Sequence, residues 1–97
     1  MRISLFCNAG MSTSLVASKL KESFEKIGKN YDVEAFDFSN LGNEADDTDV
    51  IVLGPQIAWA FDEVEKEYPD KKVILLSLQE FGSMNGDVIR ERLEKEI

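Results

Sequence analysis

Histidine is absent from this 97-residue chain, and cysteine occurs once, at Cys7. One cysteine cannot form an internal disulfide, and its scarcity suits a reducing compartment. The same scarcity leaves no set of histidines and cysteines for a zinc site. Carboxylates are plentiful, but those of the acidic segment 44–49 lack the spacing of a calcium loop. We therefore expect no metal site, and we interpret the acidic segment as a solvated connection.

Long apolar runs and excess basic charge are also missing. No run approaches the length of a membrane span, and the N-terminal run is too short for a signal peptide. Eleven Lys and Arg residues stand against 19 Asp and Glu residues, which gives a net charge of −8. Nothing resembles the basic stripe that nucleic-acid phosphates require, and anionic membrane surfaces are disfavoured too. These features predict a cytoplasmic protein without membrane insertion or nucleic-acid binding, whose macromolecular partners are proteins.

The residues that are present suit a small α/β protein. The hydrophobic fraction of 43% and the charged fraction of 31% fit one soluble domain over residues 1–97. Short apolar runs alternate with apolar residues at helical spacing. The predicted strands cover about 2–7, 31–38, 50–53 and 73–76. The predicted helices cover about 13–28, 57–68 and 88–97, with room for one helical turn in the polar segment 39–49.

This alternation predicts a four-stranded parallel sheet with helices on both faces, because parallel strands need right-handed crossovers. The expected strand order is 2-1-3-4, with the acidic second strand at an edge. In such sheets ligands bind beyond the carboxyl ends of the strands, where the winding reverses. That point lies between the first and third strands. Cys7 ends the first strand and Gly54 follows the third, so we expect both residues, with the segment after the fourth strand, at one edge.

Cys7 is followed by a loop of small residues and then by a helix. The first turn of a helix has unpaired N–H groups and the positive end of the helix dipole, which together bind anions such as phosphate and favour a thiolate. Gly10 lets the backbone approach an anion closely. The hydroxyl groups of Ser12, Thr13 and Ser14 are suited to cap the helix or to donate to phosphate oxygens. A simpler interpretation stays open, in which the cysteine is a small buried hydrophobic residue and the hydroxyl residues are only a cap.

Three segments carry a family resemblance. The first is Leu5-Phe6-Cys7-Asn8-Ala9-Gly10-Met11-Ser12-Thr13-Ser14, which resembles the phosphorylation loop of the IIB components of the bacterial phosphoenolpyruvate-dependent sugar phosphotransferase system. The resemblance is to the lactose/cellobiose/chitobiose branch. The second is Leu53-Gly54-Pro55-Gln56, and the third is Phe81-Gly82-Ser83-Met84-Asn85-Gly86, where the family often has Tyr in place of Phe81. The order and spacing agree over nearly the whole chain, which implies the fold that this family shares with low-molecular-weight tyrosine phosphatases.

The resemblance implies a phosphoryl carrier, that is, a protein-phosphocysteine–sugar phosphotransferase. Cys7 would accept a phosphoryl group from a phosphohistidine on a IIA partner. It would pass the group to a cellobiose- or chitobiose-like sugar bound by a membrane IIC partner. The phosphate oxygens would be held by a loop that consists of Asn8, Ala9, Gly10, Met11, Ser12, Thr13 and Ser14. Such a transfer needs neither a metal nor an organic cofactor.

A second group of residues forms a candidate partner surface, since methionine and aromatic residues are enriched in interfaces. The group consists of Met11, Pro55, Gln56, Trp59, Phe81 and Met84. Trp59 falls outside the apolar stripe of its predicted helix, so it either contacts a partner or packs at the helix end. For Phe81 and Met84, ordinary core packing is the open alternative.

Two other function classes share the expected fold. Low-molecular-weight tyrosine phosphatases and related arsenate reductases place a cysteine after the first strand, but with an arginine six residues later that holds the transferring phosphoryl group. Here that residue is Thr13, and the dipeptide Pro69-Asp70 reverses the Asp-Pro that usually supplies the phosphatase acid. The third class is a non-catalytic flavodoxin-like binding module, which predicts a Cys7 of ordinary reactivity.

Overall fold

The computed structural model describes residues 1–8 and 10–97, and within the first helix it describes side chains from Thr13 onward. In this part of the chain four parallel strands form one sheet. The strands are β1 (Arg2–Cys7), β2 (Asp32–Asp37), β3 (Val50–Leu53) and β4 (Lys72–Leu75). Their spatial order is β2-β1-β3-β4, which confirms the predicted order.

Burial explains why each strand lies where it does. All four residues of β3 are buried, and so are the residues of β1 from Ile3 to Cys7. Strands that are buried on both faces in this way need cover on both sides of the sheet, which a central strand receives. β2 instead exposes Asp32, Glu34 and Asp37. Because charged side chains discourage further pairing, this strand suits the edge of the sheet, as predicted.

Helices cover both faces of the sheet. They are α1 (Gly10–Lys26), α2 (Leu41–Glu44), α3 (Phe61–Glu67), α4 (Leu78–Gly82) and α5 (Gly86–Glu94). Short 3-10 segments lie at Phe38–Asn40, Ala45–Asp47 and Pro55–Ala60. The connection after β2 therefore holds more helical structure than the single turn expected there.

Side chains of β1 alternate between two hydrophobic clusters, because successive residues of a strand point to opposite faces. Ile3, Leu5 and Cys7 belong to the cluster under α1, α4 and α5. Phe6 belongs to the cluster on the other face, with residues of α2, α3 and the Pro55–Ala60 segment. The thiol of Cys7 is therefore directed to the side of the sheet that α1 covers.

α1 begins three residues before the predicted start, so residues 12–14 lie inside the helix and do not precede it. The end of α1 lies close to the predicted end at residue 28, which is a glycine. Gly28 has φ +79°, and the Lys29 N–H donates to the Phe24 carbonyl oxygen at 2.9 Å. This is a Schellman ending, in which glycine adopts the left-handed conformation that closes the helix.

α4 is a helix that the periodicity did not predict. It begins with a capping box, in which the Ser77 hydroxyl accepts from the Glu80 N–H at 3.0 Å and the Glu80 carboxylate accepts from the Ser77 N–H at 2.9 Å. α5 begins at Gly86, two residues before the predicted start, because the Asn85 side chain caps it by accepting from the N–H groups of Asp87 and Val88.

Residues 1–8 and 10–97, the part of the chain that the structure describes, form no helix that combines the length and the apolar character that a bilayer span requires. They also hold no cluster of three or more Cys, Asp or Glu side chains placed to bind a metal ion.

Candidate functional site

Cys7 is the last residue of β1, and its side chain is 1% exposed. On one side it pairs in register with Asp37 at the end of β2. On the other side Phe6 pairs with Leu53, and the ladder continues as the Gly54 N–H donates to the Phe6 carbonyl oxygen at 2.9 Å. The structure thus brings Cys7 and Gly54 together at the carboxyl edge of the sheet.

Because Gly54 has no side chain, there is space beside it for the Cys7 thiol and its hydrogen-bond partner. A Cβ atom at this position would lie 3.3 Å from the Cys7 Sγ and 2.9 Å from the Gln56 Oε1. The backbone there is extended, with φ −70°. Glycine is therefore favoured at this position by the close approach of side chains, and not by an unusual conformation.

The partner of the thiol is Gln56. The Cys7 Sγ donates a hydrogen bond to the Gln56 Oε1 at 3.2 Å. Pro55 restricts the backbone before Gln56, and the Ile57 N–H donates back to the Gly54 carbonyl oxygen at 3.1 Å. Ile57 is buried, which anchors the far side of the turn. This contact was not predicted from the sequence. Gln56 was expected only in the candidate partner surface.

α1 begins at Gly10, three positions after Cys7, and its first turn holds no acidic residue. The positive end of the dipole of this 17-residue helix is therefore not offset by a carboxylate of that turn. In the proposed phosphate loop, Asn8 and Ser14 are exposed and Thr13 is buried. Ala9 lies outside the described residues, and so do the side chains of Met11 and Ser12.

Asp37 is the acidic residue nearest in register to Cys7, and its carboxylate has a defined partner. The Oδ2 atom accepts from the Ser39 hydroxyl at 2.5 Å and from the Ser39 N–H at 3.0 Å. The hydroxyl bond, followed by the backbone bond, holds the pKa of Asp37 below its ordinary value. This carboxylate therefore stays charged and caps the 3-10 turn that follows β2.

Apolar residues follow the carboxyl ends of three strands of the sheet. Trp59 is 73% exposed, and it contacts the ring of Phe38 edge-on with 5.7 Å between ring centroids. Leu78, the first residue of α4, is 72% exposed. Phe38 follows β2, Trp59 follows β3 and Leu78 follows β4 within a few residues. Phe38 and Leu78 were not predicted as members of the candidate partner surface. For Leu78 the sequence did contain a signal, because this apolar residue directly follows the capping residue Ser77.

Two other members of the candidate partner surface lie differently. Phe81 is 7% exposed and belongs to the hydrophobic cluster under α1 and α5. The core-packing alternative therefore describes Phe81, because the short capped helix α4 turns this residue inward. Met84 is half-buried against the same cluster, and Pro55 is half-buried.

Comparison with known proteins adds independent information. Residues 2–92 match the family model described as PTS system, Lactose/Cellobiose specific IIB subunit. The galactose-specific EIIB component of Lactococcus lactis subsp. cremoris is 36% identical over 94 residues, which cover 90% of this chain and 87% of that protein. The cellobiose-specific EIIB component of Lactococcus lactis subsp. lactis gives the same values. The oligo-beta-mannoside-specific EIIB component of Bacillus subtilis is 29% identical over 87 residues, which cover 88% and 84%.

Two solved structures share the fold. The lactose-specific IIB component domain from Streptococcus pneumoniae superposes with a TM-score of 0.89 over 99% of this chain and 96% of that one, at 10% identity. At that identity the likeness concerns the fold alone. The cellobiose-specific phosphotransferase IIB component from Borrelia burgdorferi superposes with a TM-score of 0.74 over 99% and 87%, at 28% identity.

Proposed function

The chain belongs to the lactose/cellobiose-specific IIB family of the sugar phosphotransferase system, and from this premise we propose that Cys7 carries the phosphoryl group. Family membership makes the protein a phosphoryl-transfer component of that system and disfavours the phosphatase, arsenate reductase and binding-module alternatives. One observation carries the assignment to Cys7. The only cysteine of the chain ends β1, three residues before the first residue of α1.

In the first proposed step, the Cys7 sulfur attacks a phosphorus atom carried on a histidine of a IIA partner. The S–P bond forms as the P–N bond breaks, and the thiol proton ends on the released imidazole nitrogen. The developing charge would be held by the loop of residues 8–14, through N–H groups at the start of α1. This assignment rests on the helix terminus and on the lack of an acidic residue in its first turn.

In the second proposed step, the phosphoryl group passes to a sugar bound by a membrane IIC partner. The S–P bond breaks, a bond from phosphorus to a sugar hydroxyl oxygen forms, and the hydroxyl proton restores the Cys7 thiol. Relatives of equal identity are named for galactose and for cellobiose, which supports a division in which the IIC partner selects the sugar. For this chain we propose a β-linked disaccharide of the cellobiose or chitobiose kind.

Thr13 supports a carrier over a hydrolase. It occupies the position at which the phosphatases have an arginine, and a neutral hydroxyl cannot form the bidentate contact of a guanidinium group with a phosphoryl group. Hydrolysis of a phosphocysteine in such a loop should be slow, as a carrier requires. We further propose that residues 1–97 act as one IIB-type domain in the cytoplasm, which meets the membrane only through IIC.

The proposal is tested by intact mass spectrometry after incubation with phosphoenolpyruvate, the general phosphotransfer proteins and a cognate IIA. We expect one phosphoryl adduct on the wild type, and none on the Cys7→Ser variant or in samples without IIA. Serine is nearly isosteric with cysteine but far less acidic, so the variant keeps the fold and loses acceptance. An adduct on Cys7→Ser would contradict the mechanism, and turnover of an aryl phosphate by the wild type would favour a phosphatase.

A further inference from the structure

The hydrogen bond between Cys7 and Gln56 joins a buried thiol to an exposed side chain, with 3.2 Å between Sγ and Oε1. We propose that Gln56 is a second catalytic residue, whose carboxamide accepts from the Cys7 thiol before transfer and donates to the phosphoryl group after it. The inference rests on the proposed function of Cys7 as the phosphoryl carrier. It concerns the hydrogen bond at the reacting sulfur and not the docking of a partner.

A carboxamide suits both states of the sulfur because it contains an acceptor oxygen and a donor nitrogen. The resting thiol has a proton to donate, and the Gln56 oxygen accepts it. A thiolate or an S-phosphoryl group offers only acceptors, so the same oxygen would then face negative charge. A half-turn about the terminal side-chain torsion, which is broad and roughly two-fold, exchanges oxygen for nitrogen in the same place.

The surrounding backbone allows this exchange without a larger movement. Pro55 and the hydrogen bond from the Ile57 N–H to the Gly54 carbonyl oxygen fix the turn. The carboxamide of Gln56 has space to rotate because Gly54 has no side chain, and a Cβ atom there would lie 2.9 Å from Oε1. Only the end of the Gln56 side chain has to turn.

The carboxamide does not remove the thiol proton, because an amide is too weak a base. The proton goes to the imidazole of the donor, as in the first proposed step. Gln56 instead orients the sulfur before attack and donates to the charge that develops on the phosphoryl oxygens. These are contributions of positioning and of electrostatic stabilisation, and they should appear in the rate of the bound complex.

Two variants separate the donor from the acceptor role. Gln56→Glu keeps the shape and the acceptor oxygens, but it loses the donor and adds a negative charge. Gln56→Met keeps the approximate length and loses both functions. Position 56 is exposed, so we expect both variants to fold, and a thermal melt checks this.

Each variant is measured in two ways. The first is the rate of phosphoryl transfer as a function of phospho-IIA concentration, which separates the plateau rate from the half-saturation concentration. The second is alkylation of Cys7 by iodoacetamide across pH, without any partner. For Gln56→Glu we expect alkylation about tenfold slower at pH 7, with the profile moved to higher pH, because a carboxylate faces the thiolate. We also expect a plateau rate lower on the order of a hundredfold.

Gln56→Met gives the distinctive result. Its alkylation should be at least as fast as that of the wild type, because the carboxamide that accepts the hydrogen bond of the thiol is gone. Its plateau rate should fall on the order of tenfold, because the donor is gone as well. The half-saturation concentration should stay within about twofold if docking is untouched. A general disturbance of the site would move both measurements in one direction.

Gln79→Glu is the matched control, since it makes the same change at an exposed glutamine of α4 and should behave as the wild type in both assays. If Gln56→Glu had the same alkylation pH profile and the same plateau rate as the wild type, the proposal would be wrong. It would also be wrong if Gln56→Met changed only the half-saturation concentration. A wild type that accepts no phosphoryl group would overturn the proposed function and the donor role together, whereas alkylation would still report the contact with the thiol.

Discussion

Gly86 packs directly against the backbone of Lys19, at the crossing of α5 and α1. A Cβ atom on Gly86 would lie 2.1 Å from the Lys19 carbonyl oxygen and 2.5 Å from its carbonyl carbon. Backbone atoms of a helix cannot move aside as the end of a flexible side chain can. The two helices that cover the Cys7 side of the sheet are therefore held together at a contact that admits only glycine.

We expect Gly86→Ala to lower the free energy of unfolding by at least about 2 kcal/mol, because the helices must separate to admit the methyl group. Chemical denaturation measures the change. Gly82→Ala is the matched control, since a Cβ atom at Gly82 would meet nothing within 4 Å. That control should be neutral or slightly stabilising. Equal stability of the two variants would contradict the tight crossing.

Gly54→Ala should separate stability from chemistry. The added methyl group meets the end of the Gln56 side chain at 2.9 Å, and that end is flexible. We therefore expect a change in the free energy of unfolding below about 1.5 kcal/mol, with the carboxamide displaced from the Cys7 sulfur. The plateau rate of transfer from phospho-IIA should fall toward that of Gln56→Met. A wild-type plateau rate would show that the room beside Gly54 is unimportant for transfer.

Asp87 predicts a dependence of stability on pH. Its Oδ1 accepts from the buried Ser23 hydroxyl at 2.5 Å, and the Lys26 Nζ lies 3.6 Å from its Oδ2. The Ser23 hydrogen bond, assisted by the charges of Lys26 and Arg90, holds the pKa of Asp87 below its ordinary 3.8. A depressed pKa means that the charged form stabilises the fold. Its contribution is therefore complete above the ordinary pKa and is lost as pH falls through the lower one.

We accordingly expect Asp87→Asn to be less stable than the wild type at pH 7. The difference should be constant down to about pH 5 and then shrink as the wild-type carboxylate takes up a proton. Denaturant midpoints at several pH values measure it. Ser23→Ala should remove part of the same effect, so the double variant should lose less than the sum of the single losses. A difference that does not change with pH would contradict the role of the charge.

Trp59→Ala tests the apolar surroundings of the site. The ring is 73% exposed and contacts only the edge of Phe38 among the aromatic pairs described, so the loss of stability should be about 0.5–1.5 kcal/mol. We expect the half-saturation concentration of phospho-IIA to rise about tenfold or more with the plateau rate unchanged, as for an aromatic hot spot. Ile27→Ala is the control, since Ile27 is also exposed but follows the far end of α1. An equal effect of both variants would contradict a docking role for Trp59.

The sheet was predictable because its strands differ in composition. β3 is a continuous apolar run, β1 is apolar apart from Arg2 and Ser4, and β2 is acidic, so the sequence indicated which strands are central and which is an edge. The meeting of Cys7 with Gly54 followed from that order. α4 was not predicted because five residues are too few to show a helical period. The spacing of Ser77 and Glu80, which form a capping box, did indicate the start of a helix.

The finer structure of the site was less predictable for a physical reason. The contact between Cys7 and Gln56 depends on a turn of the backbone at Pro55 and on one side-chain rotamer, neither of which leaves a periodic signal. Phe81 and Leu78 occupy one short helix, and only the direction of that helix decides that Phe81 is buried and Leu78 exposed. Residue type alone made both equally plausible members of a surface.

The two outer strands of the sheet have a consequence for the protein in a crowded cell. Unpaired backbone groups on an outer strand invite a strand from another molecule, which begins aggregation. β2 carries three exposed carboxylates, and β4 is only four residues long and begins with an exposed lysine. Like charges and short length both oppose such pairing. Both outer strands of the sheet are therefore poor templates for pairing between copies of the chain.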